Sequence, residues 1–185
     1  MNLLLGVSGG IAAYKACDLV SLAMKSGFSV RVVMTENADR FVGAATFEGL
    51  TGHAVMQDTF HGDDGMAHIE WPKWADVVCV APLTANTLGK LACGLADDAL
   101  STTLMAVRRG TPVVLAPAMN TEMWLHPVVQ RNLGWLGDMP RYTLVEPVEK
   151  RLACGDVGLG GLASPATILA AIQAASRPNT LPSIS

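Results

Sequence analysis

Three side chains in this sequence have the chemistry that proton transfer and carboxylate binding require. His68 carries an imidazole, whose ordinary pKa lies close to neutral pH, so it can act as a base. Asn120 carries an amide that donates and accepts hydrogen bonds at once, which suits a bound carboxylate. Cys154 stands between alanine and glycine, where a thiol in a mobile loop is placed to deliver a proton. Each has a simpler alternative: a structural histidine, a turn or helix-cap asparagine, and an incidental free thiol.

The residues before Asn120 indicate how the chain positions it. A short apolar run, Val113–Leu115, leads into Pro117, which is typical of a buried parallel strand that ends in a loop. Similar runs predict strands at Asn2–Val7, Ser29–Met34, Val77–Ala81 and Tyr142–Val145. Helical patterns alternate with them at 12–23, Ala38–Gly49, Leu88–Leu95, Asp98–Arg109, Pro127–Leu136 and Pro165–Ala175. We therefore predict an α/β fold, a three-layer open parallel sheet of the Rossmann-like or flavodoxin-like type with helices on both faces.

A glycine turn joins the first predicted strand to the first helix. Ser8, Gly9 and Gly10 precede Ile11, where the helix begins. Glycines let the backbone approach a ligand closely, and the N–H groups at the start of a helix attract phosphate. The turn does not match GxGxxG, so it indicates a single phosphate, as in a mononucleotide, rather than a dinucleotide. A plain tight turn is the alternative.

Polar residues also follow the second and third strands, at the edge where open α/β sheets bind ligands. The candidates for cofactor contacts there are Thr35, Glu36 and Asn37 after the second strand, and Thr84, Ala85, Asn86 and Thr87 after the third. The hydroxyl and amide groups among them could equally cap the helices that follow. The two roles can coexist. By contrast, the stretch from His53 to Met66 has no periodic pattern and predicts an exposed loop.

Composition and charge exclude several classes of function. The 185 residues predict one domain over 1–176, with a flexible tail over 177–185. Half of the residues are hydrophobic and 16% are charged, which favours either a sheet covered on both faces or burial against other copies of the chain. The net charge of −3 without a charge run indicates neither nucleic acid nor an anionic membrane as partner. No transmembrane segment or signal peptide is expected, and the four cysteines lack CxxC spacing, so we predict a cytoplasmic protein without metal or disulfides.

Five stretches resemble, in the same order, the motifs of the flavin-containing cysteine decarboxylases. They are GVSGGIAAYK at 6–15, HIEWPKWAD at 68–76, PLTANTLGKLACGLADDAL at 82–100, PAMNTEMW at 117–124 and RLACGD at 151–156. The resemblance runs from about residue 3 to residue 172, nearly the whole chain. Within the family, the phosphopantothenoylcysteine decarboxylases are the most similar branch, because relatives that decarboxylate a C-terminal peptide cysteine typically lack the cysteine of ACGD. The chain departs from the commonest pattern at Trp71 and Pro72.

The resemblance implies a function and a set of site residues. It implies FMN as cofactor, bound by Ser8, Gly9, Gly10, Ile11, Thr35, Glu36, Asn37, Thr84, Ala85, Asn86, Thr87 and Ala118. It implies that His68 and Cys154 are catalytic, and that the substrate is bound by Asn120, Met123, Ala153, Gly155, Lys15 and Lys73. The implied reaction is decarboxylation of 4'-phosphopantothenoylcysteine to 4'-phosphopantetheine in coenzyme A biosynthesis, through a thioaldehyde, loss of CO2 and reduction of the ene-thiol. Family members hold the flavin between the subunits of a homotrimer, which sometimes assembles into a dodecamer.

Two alternative functions stay open at this point. One is oxidative decarboxylation of the C-terminal cysteine of a ribosomal peptide, which stops at the ene-thiol. The other is a non-catalytic flavin-binding regulatory subunit, which the chain's joint possession of His68, Asn120 and Cys154 disfavours.

Overall fold

A five-stranded parallel sheet lies at the centre of the molecule. The computed structural model describes residues 1–60, 66–151 and 157–177. The strands are β1 (Asn2–Val7), β2 (Ser29–Met34), β3 (Val77–Leu83), β4 (Val113–Pro117) and β5 (Tyr142–Leu144), in the order β2-β1-β3-β4-β5. The inner strands are apolar because both faces of the sheet are covered, and every residue of β3 and β4 is buried. The predicted fold class and the five predicted strands are confirmed.

Helices cover both faces of this sheet. The helices are α1 (Lys15–Lys25), α2 (Glu36–Asp39), α3 (Ala44–Thr51), α4 (Ala67–Trp74), α5 (Ala85–Cys93), α6 (Ala99–Met105), α7 (Thr121–Leu125), α8 (Pro127–Gly137) and α9 (Pro165–Ala175). Side chains of α1, α3 and α9 form one hydrophobic cluster against the sheet. Side chains of α4, α5, α6 and α8 form a second cluster on the opposite face. Among the helices in the described ranges, none combines the length and the apolar character needed to cross a bilayer.

The strand order reverses direction between β1 and β3. The chain leaves β1 through α1 to pair with β2 on one side, and later returns through α4 to pair β3 with β1 on the other side. The loops after the two central strands therefore diverge and leave a crevice at their carboxyl ends. In open α/β sheets, this switch point is where ligands bind.

Two predicted helices are shorter in the structure than the sequence pattern indicates. The predicted helix Ala38–Gly49 is interrupted between α2 and α3, because the carboxylate of Asp39 accepts the N–H of Ala44 at 2.9 Å and so competes with helical bonding. The predicted helix Asp98–Arg109 is α6, which is capped by Asp98 and already ends at Met105. Both differences lie at helix ends, where local side-chain hydrogen bonds decide the boundary.

The mobile loop that was predicted around Cys154 is flanked by the two strands of an antiparallel hairpin. Its strands are β6 (Val148–Arg151) and β7 (Val157–Gly161), and the residues between them, including Ala153, Cys154 and Gly155, lie outside the described residues. The Met119 N–H donates to the carbonyl of Gly160 at 2.9 Å. A Cβ atom at Gly160, whose φ is +138°, would collide with the Met119 carbonyl oxygen. Glycine therefore lets β7 pack directly on the loop that carries Asn120.

Candidate functional site

A cavity of about 1040 Å³ opens at the switch point, outside the carboxyl ends of β1 to β4. Its walls come from the loops after these strands and from β7. The lining residues are Gly9, Gly10, Ile11, Ala12, Tyr14, Thr35, Glu36, Asn37, Thr84, Ala85, Asn86, Thr87, Lys90, Asp97, Asp98, Ala118, Met119, Asn120, Met123, Gly160, Gly161 and Leu162. A cavity of this size accommodates a cofactor-sized molecule. It contains every residue predicted to contact a cofactor except Ser8.

The glycine turn after β1 forms one end of the cavity. Gly10 has an extended conformation and precedes a short 3-10 turn, Ile11–Tyr14, that leads into α1. Gly10, at the N-cap position, has no side chain to cap the N–H groups at the start of this turn. A Cβ at Gly9 would lie 2.5 Å from the Asn37 Cβ and 2.9 Å from the Asn37 carbonyl oxygen. Glycine at position 9 is therefore required for close packing of the two loops, and the turn keeps backbone donors available for an anion.

Thr35 presents a hydroxyl group that the protein itself does not use. It stands at the N-cap position of α2, but its side chain makes no capping hydrogen bond. Its Oγ1 is buried and has no hydrogen-bond partner within the part of the chain that the structure describes. A buried hydroxyl without a partner costs about 1–3 kcal/mol. The capping alternative is therefore not realised at Thr35, and a polar ligand in the cavity would satisfy this hydroxyl.

Ser8 has a different position from the one predicted for a cofactor contact. Its side chain is fully buried and does not line the cavity. The Oγ–H donates to the Pro82 carbonyl at 2.7 Å, and the same oxygen accepts the Thr84 N–H at 2.9 Å. Ser8 thus joins the loop after β1 to the loop after β3, and it supports the cavity from behind.

Replacing Ser8 with alanine is expected to lower the free energy of unfolding by about 1–3 kcal/mol, because a buried N–H and carbonyl lose a shared partner. Urea denaturation followed by circular dichroism measures this change. Ser21 provides the matched control, since its hydroxyl only bonds back to the Cys17 carbonyl within α1. Ser21→Ala is expected to change the free energy by less than about 0.5 kcal/mol. Equal denaturation midpoints for the two variants would contradict the role given to Ser8.

The loop after β3 combines helix capping with a cavity wall. Thr84 is the N-cap of α5, and its Oγ1 accepts the Thr87 N–H at 3.4 Å. The two threonine hydroxyl oxygens lie 3.2 Å apart. Both residues line the cavity together with Ala85 and Asn86. The capping alternative is realised here, and it coexists with exposure to the cavity.

A three-residue ion cluster in the cavity wall was not predicted. The Lys90 ammonium lies 2.6 Å from Asp97 Oδ1 and 2.6 Å from Asp98 Oδ2. Hydrogen bonds to Asp97 and then to Asp98 raise the pKa of Lys90. Burial acts to raise the pKa of Asp98, but hydrogen bonds from Lys90 and Ser101 outweigh it and lower that pKa. Lys90 and Asp98 therefore stay charged around neutral pH, and the cluster fixes the loop between α5 and α6. The sequence indicates only that Lys90 lies in the cavity wall, because it follows Thr87 by three residues and so shares its helix face.

Asn120 lies at the other end of the cavity, after β4. It is the N-cap of α7, and its Oδ1 accepts the Glu122 N–H at 2.8 Å. The predicted cap alternative is thus realised, and it coexists with the position of Asn120 in the cavity wall. Ala118 and Met123 also line the cavity, as predicted for cofactor and substrate contacts. Met119 completes this wall and was not predicted.

Three further predicted residues, His68, Lys73 and Lys15, do not line this cavity. His68 is the second residue of α4, and its Nδ1 is buried without a hydrogen-bond partner among the described residues. Lys73 forms an exposed ion pair with Glu70 at 2.7 Å. Lys15 donates to the Leu162 carbonyl at 3.4 Å. The predicted residues Ala153, Cys154 and Gly155 lie outside the described residues.

Together these features describe a site for a phosphate-bearing cofactor with a polar substrate beside it. One end offers uncapped backbone N–H groups and the hydroxyl of Thr35, and the other end offers the amide of Asn120. Apolar and small residues, including Ala85, Ala118 and Met119, form the wall between them. Such a wall suits a flat ring system.

Comparison with protein families gives one match over residues 1–177, to the family described as Flavoprotein. The chain is 50% identical over 170 residues to the Bacillus subtilis (strain 168) "Coenzyme A biosynthesis bifunctional protein CoaBC", covering 91% of this chain and 41% of that protein. It is 40% identical over 174 residues to the Streptococcus mutans "Probable phosphopantothenoylcysteine decarboxylase", covering 93% of this chain and 97% of that protein. The chain therefore spans less than half the length of the bifunctional relatives that it matches.

Solved structures of the same architecture are also similar. A PPC decarboxylase mutant complexed with pantothenoylaminoethenethiol has a TM-score of 0.82 and 35% identity, covering 94% of this chain and 96% of that one. The FMN-dependent cysteine decarboxylase SpaF has a TM-score of 0.81 and 34% identity, covering 95% of this chain and 97% of that one. The similarity thus extends over nearly the whole chain in both cases.

Proposed function

The chain belongs to the flavoprotein family, and on that premise we propose that it is an FMN-dependent phosphopantothenoylcysteine decarboxylase. It converts 4'-phosphopantothenoylcysteine to 4'-phosphopantetheine in coenzyme A biosynthesis, and it is a cytoplasmic enzyme. The observation that carries the proposal is the cavity at the switch point, whose wall joins the phosphate-binding turn to Asn120. Sequence similarity to a full-length decarboxylase, and structural similarity to another, support the same assignment. Residues 1–176 act as one FMN-binding domain.

The residues of the cavity suit FMN. The turn at Gly9 and Gly10 would hold the phosphate through backbone N–H groups, because the N-cap residue Gly10 has no side chain to cap them. The buried hydroxyl of Thr35 lacks a partner within the described residues and would bond to a phosphate or ribityl oxygen. Thr84, Asn86 and Ala118 would contact the rest of the cofactor, since they continue the wall from this turn.

The reaction needs an electron sink, because a cysteinyl carboxylate that loses CO2 directly would leave an unstabilised carbanion. Oxidation of the CH2–SH carbon to a thioaldehyde makes the carboxylate β to a C=S group, and loss of CO2 then gives an ene-thiol. FMN, when bound, supplies the hydride acceptor and donor for this cycle, so that no net redox change remains.

This chain's own side chains bind the substrate and move its protons. His68 removes a proton during thiol oxidation, and Asn120 binds the carboxylate that is lost. Cys154 delivers a proton to the ene-thiol carbon during the final reduction. Met123, Ala153, Gly155, Lys15 and Lys73 are the further substrate contacts of the proposal. In the monomer, Lys15 donates to the carbonyl of Leu162 and Lys73 pairs with Glu70, so substrate binding would exchange these contacts.

The site is completed by a second copy of the chain. His68 does not line the cavity of its own chain, yet its buried Nδ1 has no partner among the described residues. Apolar side chains at or near the rim are exposed, including Ile11 at 61%, Tyr14 at 56% and Leu95 at 55%. We propose that these surfaces meet in a homotrimer, so that His68 of one copy reaches the cavity of the next. Four such trimers would form a dodecamer.

An anaerobic assay of the FMN-loaded protein with 4'-phosphopantothenoylcysteine tests the assignment, with mass spectrometry of the product. We expect saturated 4'-phosphopantetheine from the natural chain and the ene-thiol from Cys154→Ser. Cys93→Ser provides the control, since Cys93 is exposed at the end of α5. It is expected to give the saturated product at an unchanged rate.

Two outcomes would replace the proposal. Turnover of peptides that end in cysteine, without turnover of 4'-phosphopantothenoylcysteine, would assign the chain to the peptide decarboxylases. FMN binding without turnover of either substrate would assign it to the non-catalytic flavin-binding proteins.

A further inference from the structure

Helix α4 contains a proline at a position that acts directly on His68. Pro72 lies inside the helix, is buried, and follows His68 by four residues. In an α-helix, the N–H of a residue donates to the carbonyl four residues earlier. Proline has no N–H, and its ring crowds that same carbonyl. Pro72 therefore removes the regular helical bond from the residue that carries the proposed base.

Backbone hydrogen bonds are present at both ends of α4, before and after this proline. Before it, the Met66 carbonyl accepts the N–H groups of Ile69 at 2.9 Å and Glu70 at 3.0 Å. After it, the Ala75 N–H donates to the Trp71 carbonyl at 3.1 Å. The helix is thus bonded normally on both sides of the residue pair 68 and 72.

The C-terminal half of α4 is held firmly by its surroundings. The Arg31 guanidinium of β2 lies 5.1 Å from the ring centroid of Trp71 and 4.7 Å from that of Trp74. The Asn2 amide donates to the Trp74 carbonyl at 2.9 Å, and the Asp76 N–H donates to the Asn2 carbonyl at 2.9 Å. Stacking between two indole rings suits the planar guanidinium and not the ammonium of lysine. Arg31 therefore fixes the part of the helix that follows the proline.

We infer that Pro72 and Arg31 are positioning residues for His68. Arg31 anchors the second half of α4 to the edge strand β2, and Pro72 sets the direction in which the first turn leaves this anchor. The imidazole is thereby held at a fixed angle to the surface of its own chain. This inference rests on the proposed function only in taking the His68 imidazole as the catalytic base. The positions of Pro72 and Arg31 in the structure do not depend on that role.

Replacing Pro72 with alanine tests the inference, because the activity should fall without a loss of stability. Alanine restores the helical N–H, so the melting temperature is expected to stay equal or to rise. Turnover is expected to fall by about 10-fold to 100-fold. Displacing a catalytic group by about 1 Å can lower the rate by about 100-fold. The loss should appear in kcat with little change in KM, and FMN content should stay the same.

The titration of His68 provides a readout that a purely structural role would not move. Its imidazole pKa is measured by NMR in the FMN-loaded protein, together with the pH profile of kcat/KM. We expect both to shift in Pro72→Ala and in Arg31→Lys, which keeps the charge but loses the planar stack. Pro127→Ala is the matched control, because Pro127 is exposed at the first residue of α8. It should leave both quantities unchanged.

Unchanged kcat and an unchanged imidazole pKa in folded Pro72→Ala would overturn the inference. If Pro72→Ala does not fold, Arg31→Lys decides by the same two measurements. If the natural chain does not turn over 4'-phosphopantothenoylcysteine, the proposed function fails. The imidazole pKa still tests the positioning role in that case, since it needs no turnover.

Discussion

Replacing His68 with glutamine is expected to abolish turnover of 4'-phosphopantothenoylcysteine while the protein keeps its FMN. Glutamine retains hydrogen-bonding capacity but cannot take up a proton near neutral pH, and loss of a general base costs about 10²-fold to 10⁴-fold in rate. The cofactor should remain, because the residues proposed to hold it, among them Gly9 and Thr35, are unchanged in this variant. Product formation under anaerobic conditions and the flavin absorbance of the purified variant measure the two quantities.

His53→Gln is the matched control for this replacement. His53 is exposed after α3, and its described hydrogen bonds use only backbone atoms, with its N–H donating to Thr51. It should retain full turnover. A rate in His68→Gln within tenfold of the natural chain would exclude this histidine as the base, even if the flavin content were normal.

The second large effect is expected at Gly9, where replacement with alanine should weaken FMN binding by about 10-fold to 100-fold. The added Cβ would lie 2.5 Å from the Asn37 Cβ and 2.7 Å from its carbonyl carbon, so the loops after β1 and β2 must move apart. Overpacking of this kind costs about 1–3 kcal/mol, which corresponds to this loss of affinity if the strain falls on the bound state. Fluorescence titration of the flavin-free protein with FMN measures the dissociation constant.

Gly49→Ala separates this effect from a general sensitivity to added methyl groups. Gly49 lies within α3, and a Cβ there would meet no atom within 4 Å. Alanine at an exposed helix position stabilises by up to about 1 kcal/mol, and FMN affinity should be unchanged. An FMN affinity in Gly9→Ala equal to that of the natural chain would show that the loop packing at this position does not shape the phosphate end.

The sheet was predictable from the sequence because burial on both faces makes each inner strand a continuous apolar run. The cofactor end of the site was predictable for a related reason: polar residues that follow such runs must meet at one edge. Gly9, Thr35 and Thr84 belong to separate segments, yet the parallel arrangement alone brings them together. At these positions, the local sequence pattern and the parallel order of the strands both predict a place at the carboxyl edge of the sheet.

Features that depend on contacts between distant residues could not be predicted. The role of Ser8 depends on Pro82, which follows it by 74 residues, so its place behind the cavity leaves no local signal. The hairpin of β6 and β7 depends on glycines, which have weak strand propensity and pack here because Met119 lies against them. The ion cluster of Lys90 required knowing that the loop after α5 folds back beside the cavity.

The location of His68 shows a further limit of sequence reasoning. Its motif predicted a catalytic base, but nothing in the motif indicated that the side chain would lie away from the cavity of its own chain. That separation becomes visible only when α4 is placed on the sheet face opposite α1. The motif predicted the identity of the residue but not where its side chain lies relative to the cavity.

The cavity is built from segments that extend from residue 9 to residue 162, and none of them forms a wall alone. A ligand for this cavity therefore binds the folded chain and not the unfolded one, so binding and folding are thermodynamically linked. At a free ligand concentration of 100 times the dissociation constant, this linkage adds about 2.7 kcal/mol to the free energy of unfolding. A cell that lacks flavin would then lose the polypeptide to proteolysis as well as its activity.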